Sequence, residues 1–415
     1  MIEYHVLLLV LLVGTNAFFT WLDVIDLRYG ERVLTERAEW VSERFGVDDP
    51  ERMAEYDRAR TGLDALRSWV LLGLMLLVLY SGLFADAVSA LESTGLGPLA
   101  RGAVLYGGIS VAMVVVSLPF EAVETFVVEE LFDFNEQTVG LWVRDLVLEL
   151  VVATAMTVAM GAALLWVVLS FPEWWWLGGL GVYVAFVLVV QVVYPRVIAP
   201  LFNDFEPIEE GELRDGVEEV FDRASFECDE IYEMDASRRS SHSNAYFVGF
   251  GRTKRVVLFD TLIDQLELPQ VQSILAHELA HWKKAHIWKG MVGDTLQMAA
   301  GLFVAWFLLG QDWLLAMFGV PAGATEAGLL LAFLWTVPLF RLSSPLVNKL
   351  SLQFEREADD FAAEVTDPQP MIDALERITG ENLMNPFSHP LYERFHHTHP
   401  PVPERIRRLE ERTAD

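Results

Sequence analysis

Cys228 is the single cysteine of this 415-residue chain, so neither a disulfide framework nor a cysteine-ligated zinc module is available to it. Lysine is nearly missing too, occurring only at positions 254, 283, 284, 289 and 349. With 59 acids against 30 bases and a net charge of -29, nucleic acid is excluded as a partner. Glycine (28) and proline (18) are too few and too irregularly placed for collagen-like or low-complexity structure. What remains is apolar: 53% of residues are hydrophobic and the mean hydropathy is +0.32, which rules out intrinsic disorder.

Seven runs are long and apolar enough to cross a bilayer, which needs roughly 20 residues. They cover Tyr4–Leu22, Trp69–Ala85, Gly102–Phe120, Leu146–Phe171, Trp174–Tyr194, Met291–Leu309 and Gly328–Val347. The first has no Lys or Arg in Met1-Ile2-Glu3-Tyr4 and no small-residue cleavage site after it, so it reads as a retained anchor and not a signal peptide. The expected division is a first spanning helix (1–22), an acidic and Arg-rich loop (23–67), spanning helices two to five (68–194), a hydrophilic block (195–289), spanning helices six and seven (290–347) and a C-terminal block (348–415). Eight arginines between Arg28 and Arg67 mark the first loop. By the positive-inside rule they place that loop and both hydrophilic blocks in the cytoplasm. Glu149, Asp294, Gln297 and Arg341 lie within runs where polar groups are costly, so each is expected to face an interior or lie near a helix end.

His277-Glu278-Leu279-Ala280-His281 carries the chemistry. On a helix, positions i and i+4 share a face, so two imidazoles reach one metal while the glutamate leans toward a water on it. Leu268-Pro269 starts the helix, and Val271, Ile274, Leu275, Ala276 and Leu279 repeat at helical spacing. Taken alone, the five residues also fit two surface histidines on an amphipathic helix. A catalytic zinc needs a third protein donor. Glu355 and Asp359, again i and i+4, offer one carboxylate for the metal and one to orient a histidine. Asn244–Phe250 and Val256–Asp260 read as a hairpin turned by Gly251-Arg252-Thr253-Lys254. An edge strand beside a metal helix would hold an extended peptide by main-chain hydrogen bonds, and a purely structural hairpin fits the same residues.

Six ordered blocks resemble the Ste24-type CAAX prenyl proteases, integral-membrane zinc metallopeptidases of the M48 class. They are Thr125–Thr138, Pro195–Asn203, Ser240–Phe247, His277–Trp282 with His286, Glu355 with Asp359, and Phe395–Pro401 followed by Glu404-Arg405. The resemblance implies a mainly α, polytopic fold: a seven-helix transmembrane barrel enclosing a chamber, with a gluzincin-like α+β zinc protease domain. It implies one zinc ion on His277, His281 and Glu355, with Glu278 as general base. Asn244 and His399 would donate to the oxyanion, and Ala245, Tyr246 and Phe247 would bind substrate. Asp359 resembles a second carboxylate to which proton donation is sometimes assigned; its spacing from Glu355 favours an orienting role. His286, five residues after His281, lies off the ligand face and reads as a supporting, hydrogen-bonding histidine. His242, His389, His396 and His397 read as packing or chamber-lining groups.

The expected partners are peptide or protein substrates, those with a C-terminal prenylated cysteine among them, and the lipid bilayer. The expected protein is a monomer in a prokaryotic plasma membrane with its site facing the cytoplasm. Two other readings use the same residues: a quality-control protease of the HtpX type, which has fewer spans, and a catalytically inactive lipid-binding scaffold. An acid-rich, Lys-poor surface suits molar salt, where the Debye length is about 3 Å, and points to a halophilic archaeal host.

Overall fold

The computed structural model describes residues 1–228, 230–242, 244–248 and 255–413. Among these, seven helices are long and apolar enough to cross a membrane. The first five are α1 (Ile2–Glu36), α2 (Pro50–Tyr80), α3 (Pro98–Val123), α4 (Val139–Ser170) and α5 (Trp175–Val193). Further helices include α6 (Leu268–Lys283), α7 (His286–Leu309), α8 (Thr325–Val365) and α9 (Val402–Thr413), of which α7 and α8 complete the spanning set.

Local chemistry sets several starts. Asp49 accepts from the Glu51 N–H with Pro50 at the first helical position of α2, and Thr138 Oγ1 accepts from the Leu141 N–H at the start of α4; both satisfy donors that a helix N-terminus leaves unpaired. The helices run past the apolar runs. α1 extends to Glu36 and a short helix covers Ala38–Phe45, so much of the expected 23–67 loop is helical. α8 continues unbroken over 41 residues despite Pro338 and Pro345, crossing the expected border at 347. In the spans, α3 packs on α4, α7 on α8, and α1 on α2, around buried Leu8, Leu165, Trp175, Leu302 and Leu314. Of the four polar residues within spans, Gln297 donates to Ser343 Oγ (2.6 Å) and Arg341 to Asn16 Oδ1 (3.2 Å), while Glu149 and Asp294 are exposed.

Four strands form the sheet of the hydrophilic block: β1 (Phe205–Pro207), β2 (Glu230–Met234), β3 (Ala245–Val248) and β4 (Arg255–Phe259). Their order is β1-β2-β4-β3, with β2 and β4 parallel and β3 antiparallel to β4, Tyr246 opposite Val257. The expected hairpin is present as β3 and β4, but Asp260 opens the helix Asp260–Gln265 instead of ending a strand. The expected turn Gly251–Lys254, with Gly249 and Phe250, lies outside the described residues. Ile231, Val256 and Leu258 pack on Leu275, Ala276 and Leu279 of α6, so one face of α6 is fixed against the sheet and the opposite face is free for the site.

Candidate metal centre

α6 begins with a capping box between Glu267 and Gln270 and with Pro269 in its first turn, features that fix where the helix starts and hence which way its faces point. His277 and His281 leave the same face one turn apart. α8, continuous from its apolar part to its polar end, carries Glu355 to them. His277 Nε2 lies 3.2 Å from Glu355 Oε2, His281 Nε2 3.3 Å from Glu355 Oε1, and the two Nε2 atoms 3.4 Å apart.

These separations are the test of a zinc site. Bonds of 2.0–2.1 Å directed to the corners of a tetrahedron put donors about 3.3 Å apart. Glu355 Oε2 is buried and has no hydrogen-bond partner of acceptable angle, which is costly unless a cation takes it. Two imidazoles and a carboxylate converging with lone pairs on one point fit a zinc ion, and these three residues could hold one.

The supporting atoms are ordered on both sides. Behind His277, its Nδ1 lies 2.9 Å from Asp359 Oδ1, a contact that keeps the proton on Nδ1 in the neutral ring, so that Nε2 is the nitrogen to bind a metal. Arg405 of α9 grips the same carboxylate twice, Nε to Oδ2 at 2.9 Å and Nη2 to Oδ1 at 2.6 Å. Both Asp359 oxygens are thus committed and the residue lines neither of the cavities at the site, a position suited to orienting His277 and not to delivering a proton. Behind His281, Nδ1 lies 3.3 Å from Nδ1 of His286. His286 in turn places Nε2 3.2 Å from Glu357 Oε2 and stacks on Phe354 at 4.4 Å. The chain reaches this arrangement because α6 stops and Ala285, at φ 56°, turns it into a new helix; continuous-helix arithmetic had put His286 off the ligand face.

Electrostatics match this layout. Burial disfavours a charge on His277, but the Asp359 and Glu355 carboxylates outweigh it and raise its pKa to about 9. His281 is pushed down to about 4 by burial and by the neighbouring His277 charge. Burial, reinforced by Glu355, raises Glu278 above the usual carboxylate range.

Glu278 lies where two cavities meet. One, about 840 Å³, is also lined by Tyr246, Phe247, His281, Glu355 and His399; the other, about 500 Å³, by Asn244, Ala245, His277 and His399. The structure therefore brings all the expected site residues but Asp359 to these two cavities; His286 lines the larger one while also backing His281, and Asp359 stands behind His277. β3 is the sheet edge, paired on one side only among the described strands. Asn244 Oδ1 accepts from the Ala245 N–H (2.8 Å), leaving its NH₂ as the free donor. His399 Nε2 lies 3.3 Å from Glu355 Oε1. His242, expected only to pack, bonds through Nδ1 to Asn382 Oδ1 (3.1 Å) and faces Glu129 Oε2 at 3.4 Å through Nε2. His397 Nε2 meets Ser388 Oγ at 3.3 Å, and that hydroxyl donates to Asp26 Oδ1. Arg405 and Glu357 went unassigned from the sequence; Arg405 stands 46 residues from Asp359 and had no signal beyond its place in the last matched block.

Comparison with known proteins agrees with this geometry. Residues 34–204 match a family model described as CAAX prenyl protease N-terminal, five membrane helices, and residues 207–413 match peptidase family M48. The CAAX prenyl protease 1 homolog of Oryza sativa subsp. japonica is 34% identical over 305 residues, spanning 73% of this chain and 72% of its own. The human homolog is 30% identical over 331 residues, 70% of each. The crystal structure of S. mikatae Ste24p superposes with a TM-score of 0.88 at 25% identity, covering 97% of this chain and 98% of that one. Fold and site together define a multi-pass membrane zinc metalloprotease. The chain belongs to the CAAX prenyl protease family, the Ste24 type within M48.

Proposed function

We propose that this protease holds one zinc ion on His277, His281 and Glu355 and cleaves peptides near a prenylated cysteine close to their C-terminus, a reading that the relatives' name, CAAX prenyl protease, supports. The observation that carries the metal assignment is the convergence of the two Nε2 atoms, 3.4 Å apart, on the Glu355 carboxylate, whose Oε2 lies 3.2 Å from His277 and whose Oε1 lies 3.3 Å from His281. A zinc ion there supplies a lowered pKa for water and polarisation of a carbonyl. Glu278 takes the proton of the attacking water and returns it to the leaving amine, a task its raised pKa suits. The Asn244 NH₂ and the His399 imidazole donate to the carbonyl oxygen as charge builds on it. Ala245, Tyr246 and Phe247 present the open edge of β3 to an extended peptide. Asp359 and His286 hold the two imidazoles in place.

The Arg-rich first loop favours a site on the cytoplasmic side of the membrane. The experiment is a cleavage assay on farnesylated, geranylgeranylated and unmodified forms of one C-terminal peptide, with and without chelator. Chelator-sensitive cleavage favouring a prenylated form is expected; cleavage indifferent to chelator would overturn the metal assignment, and equal rates on all three forms the substrate assignment.

A further inference from the structure

The cavity that carries Glu278, His281 and Glu355 does not end at the metal centre. It continues along the seam between α7 and α8, over Gly290, Gly293 and Ala300 of one helix and Leu339, Leu346 and Leu350 of the other. Within each set the residues recur three, four or seven positions apart, so one stripe faces another. From Leu339 to Phe354, α8 rises about 22 Å, four turns of helix. The polar side chains met on the way are few: Gln297 donates to Ser343 Oγ and to the Phe340 carbonyl, and Ser351 donates back to the Val347 carbonyl. Space is kept open by the glycines: a Cβ on Gly290 or Gly293 meets nothing within 4 Å, whereas one on Gly301 would come 2.3 Å from Phe340 Cζ, where the ring closes the seam.

We infer that this trough takes the isoprenoid chain of the substrate, leading it away from the metal centre between α7 and α8. The inference rests on the protease reading above. A hydrocarbon attached next to the scissile bond must leave the site as soon as the peptide is seated on β3, and the trough is apolar, elongated and continuous with the metal centre. An amino-acid side chain is too short to reach Ala300, about 21 Å of helix beyond His286. A polar peptide segment would meet only Gln297, Ser343 and Ser351 along the stripes, too few partners for its backbone groups. A bilayer acyl chain has suitable chemistry, but it is not tied to the substrate and would not make cleavage depend on prenylation.

The test is Gly293→Leu, with Gly181→Leu on α5 as the control; a Cβ at Gly181 likewise meets nothing within 4 Å. Each zinc-loaded enzyme is assayed for kcat/KM on farnesylated and unmodified versions of one peptide. Gly293→Leu should lower the farnesylated-to-unmodified ratio about tenfold or more, and Gly181→Leu should leave it unchanged. A ratio unchanged by Gly293→Leu, or equal loss on both peptides, overturns the inference, while chelator-sensitive cleavage of either peptide by the wild type leaves the protease reading standing. Failure of the wild type to cleave any peptide removes both. Should Gly293→Leu not fold, a peptide carrying a photoreactive farnesyl group is cross-linked to the wild type. Adducts within 286–300 and 339–354 support the trough; adducts confined to the separate cavity of about 450 Å³ around Tyr106 and Phe333 contradict it.

Discussion

Arg405 clamps Asp359 through two hydrogen bonds, 2.9 and 2.6 Å long, between a guanidinium and a carboxylate that are both buried. Asp359 passes that constraint to His277 Nδ1. The imidazole is therefore aimed from the C-terminal helix, 128 residues away in sequence.

Asp359→Asn should lower zinc affinity about 10–100-fold, the usual cost of losing an outer-shell partner, and should also cost stability, because the buried Arg405 guanidinium loses its counter-charge. Arg405→Ala should cost stability too, about 3–5 kcal/mol, because it takes the guanidinium from a buried carboxylate, but it leaves the Asp359–His277 contact in place and should lower zinc affinity less. Zinc competition titration distinguishes the two variants. Equal zinc affinity in Asp359→Asn and wild type would contradict the orienting role.

Glu357→Gln acts one residue further back. Through His286 it should loosen His281, with a smaller fall in zinc affinity than Asp359→Asn. His286→Ala, which removes the direct 3.3 Å neighbour of His281, should exceed Glu357→Gln. The reverse order in a zinc titration would break this chain of contacts.

Zinc affinity should rise with pH. Without metal His277 holds its proton up to about 9, and a metal ligand must give it up. Below that pH, affinity should fall by up to about tenfold per unit, and binding should release protons measurable by calorimetry in buffers of different ionisation enthalpy. A flat affinity from pH 6 to 9 would contradict the coupling.

The surface charge makes a separate prediction. With a net charge of -29 and five lysines, self-repulsion should weaken the fold in dilute buffer and be screened in molar salt, where the Debye length is about 3 Å. Melting temperature should climb from low to molar salt; a profile independent of salt would remove the halophilic reading.

Much of this was legible in the residues. Long apolar runs announce spans because the bilayer demands them, and the i, i+4 pairs His277/His281 and Glu355/Asp359 announce a shared face because helix geometry does. What escaped is what tertiary structure decides. Nothing local says that α8 stays continuous through Pro338 and Pro345, since each proline removes a helix hydrogen bond and neighbouring contacts must make up for it. Glu357 sits between two assigned acids and becomes meaningful only once Ala285 turns the chain and brings His286 back against His281. Arg405 is one arginine among many until α9 packs on α8.

Glu278→Gln tests the central claim most directly. The substitution keeps the shape of the side chain and removes the base, so the purified variant should retain one zinc per chain while peptide cleavage falls at least about 10²–10⁴-fold. Undiminished cleavage by a zinc-loaded Glu278→Gln protein would contradict the account.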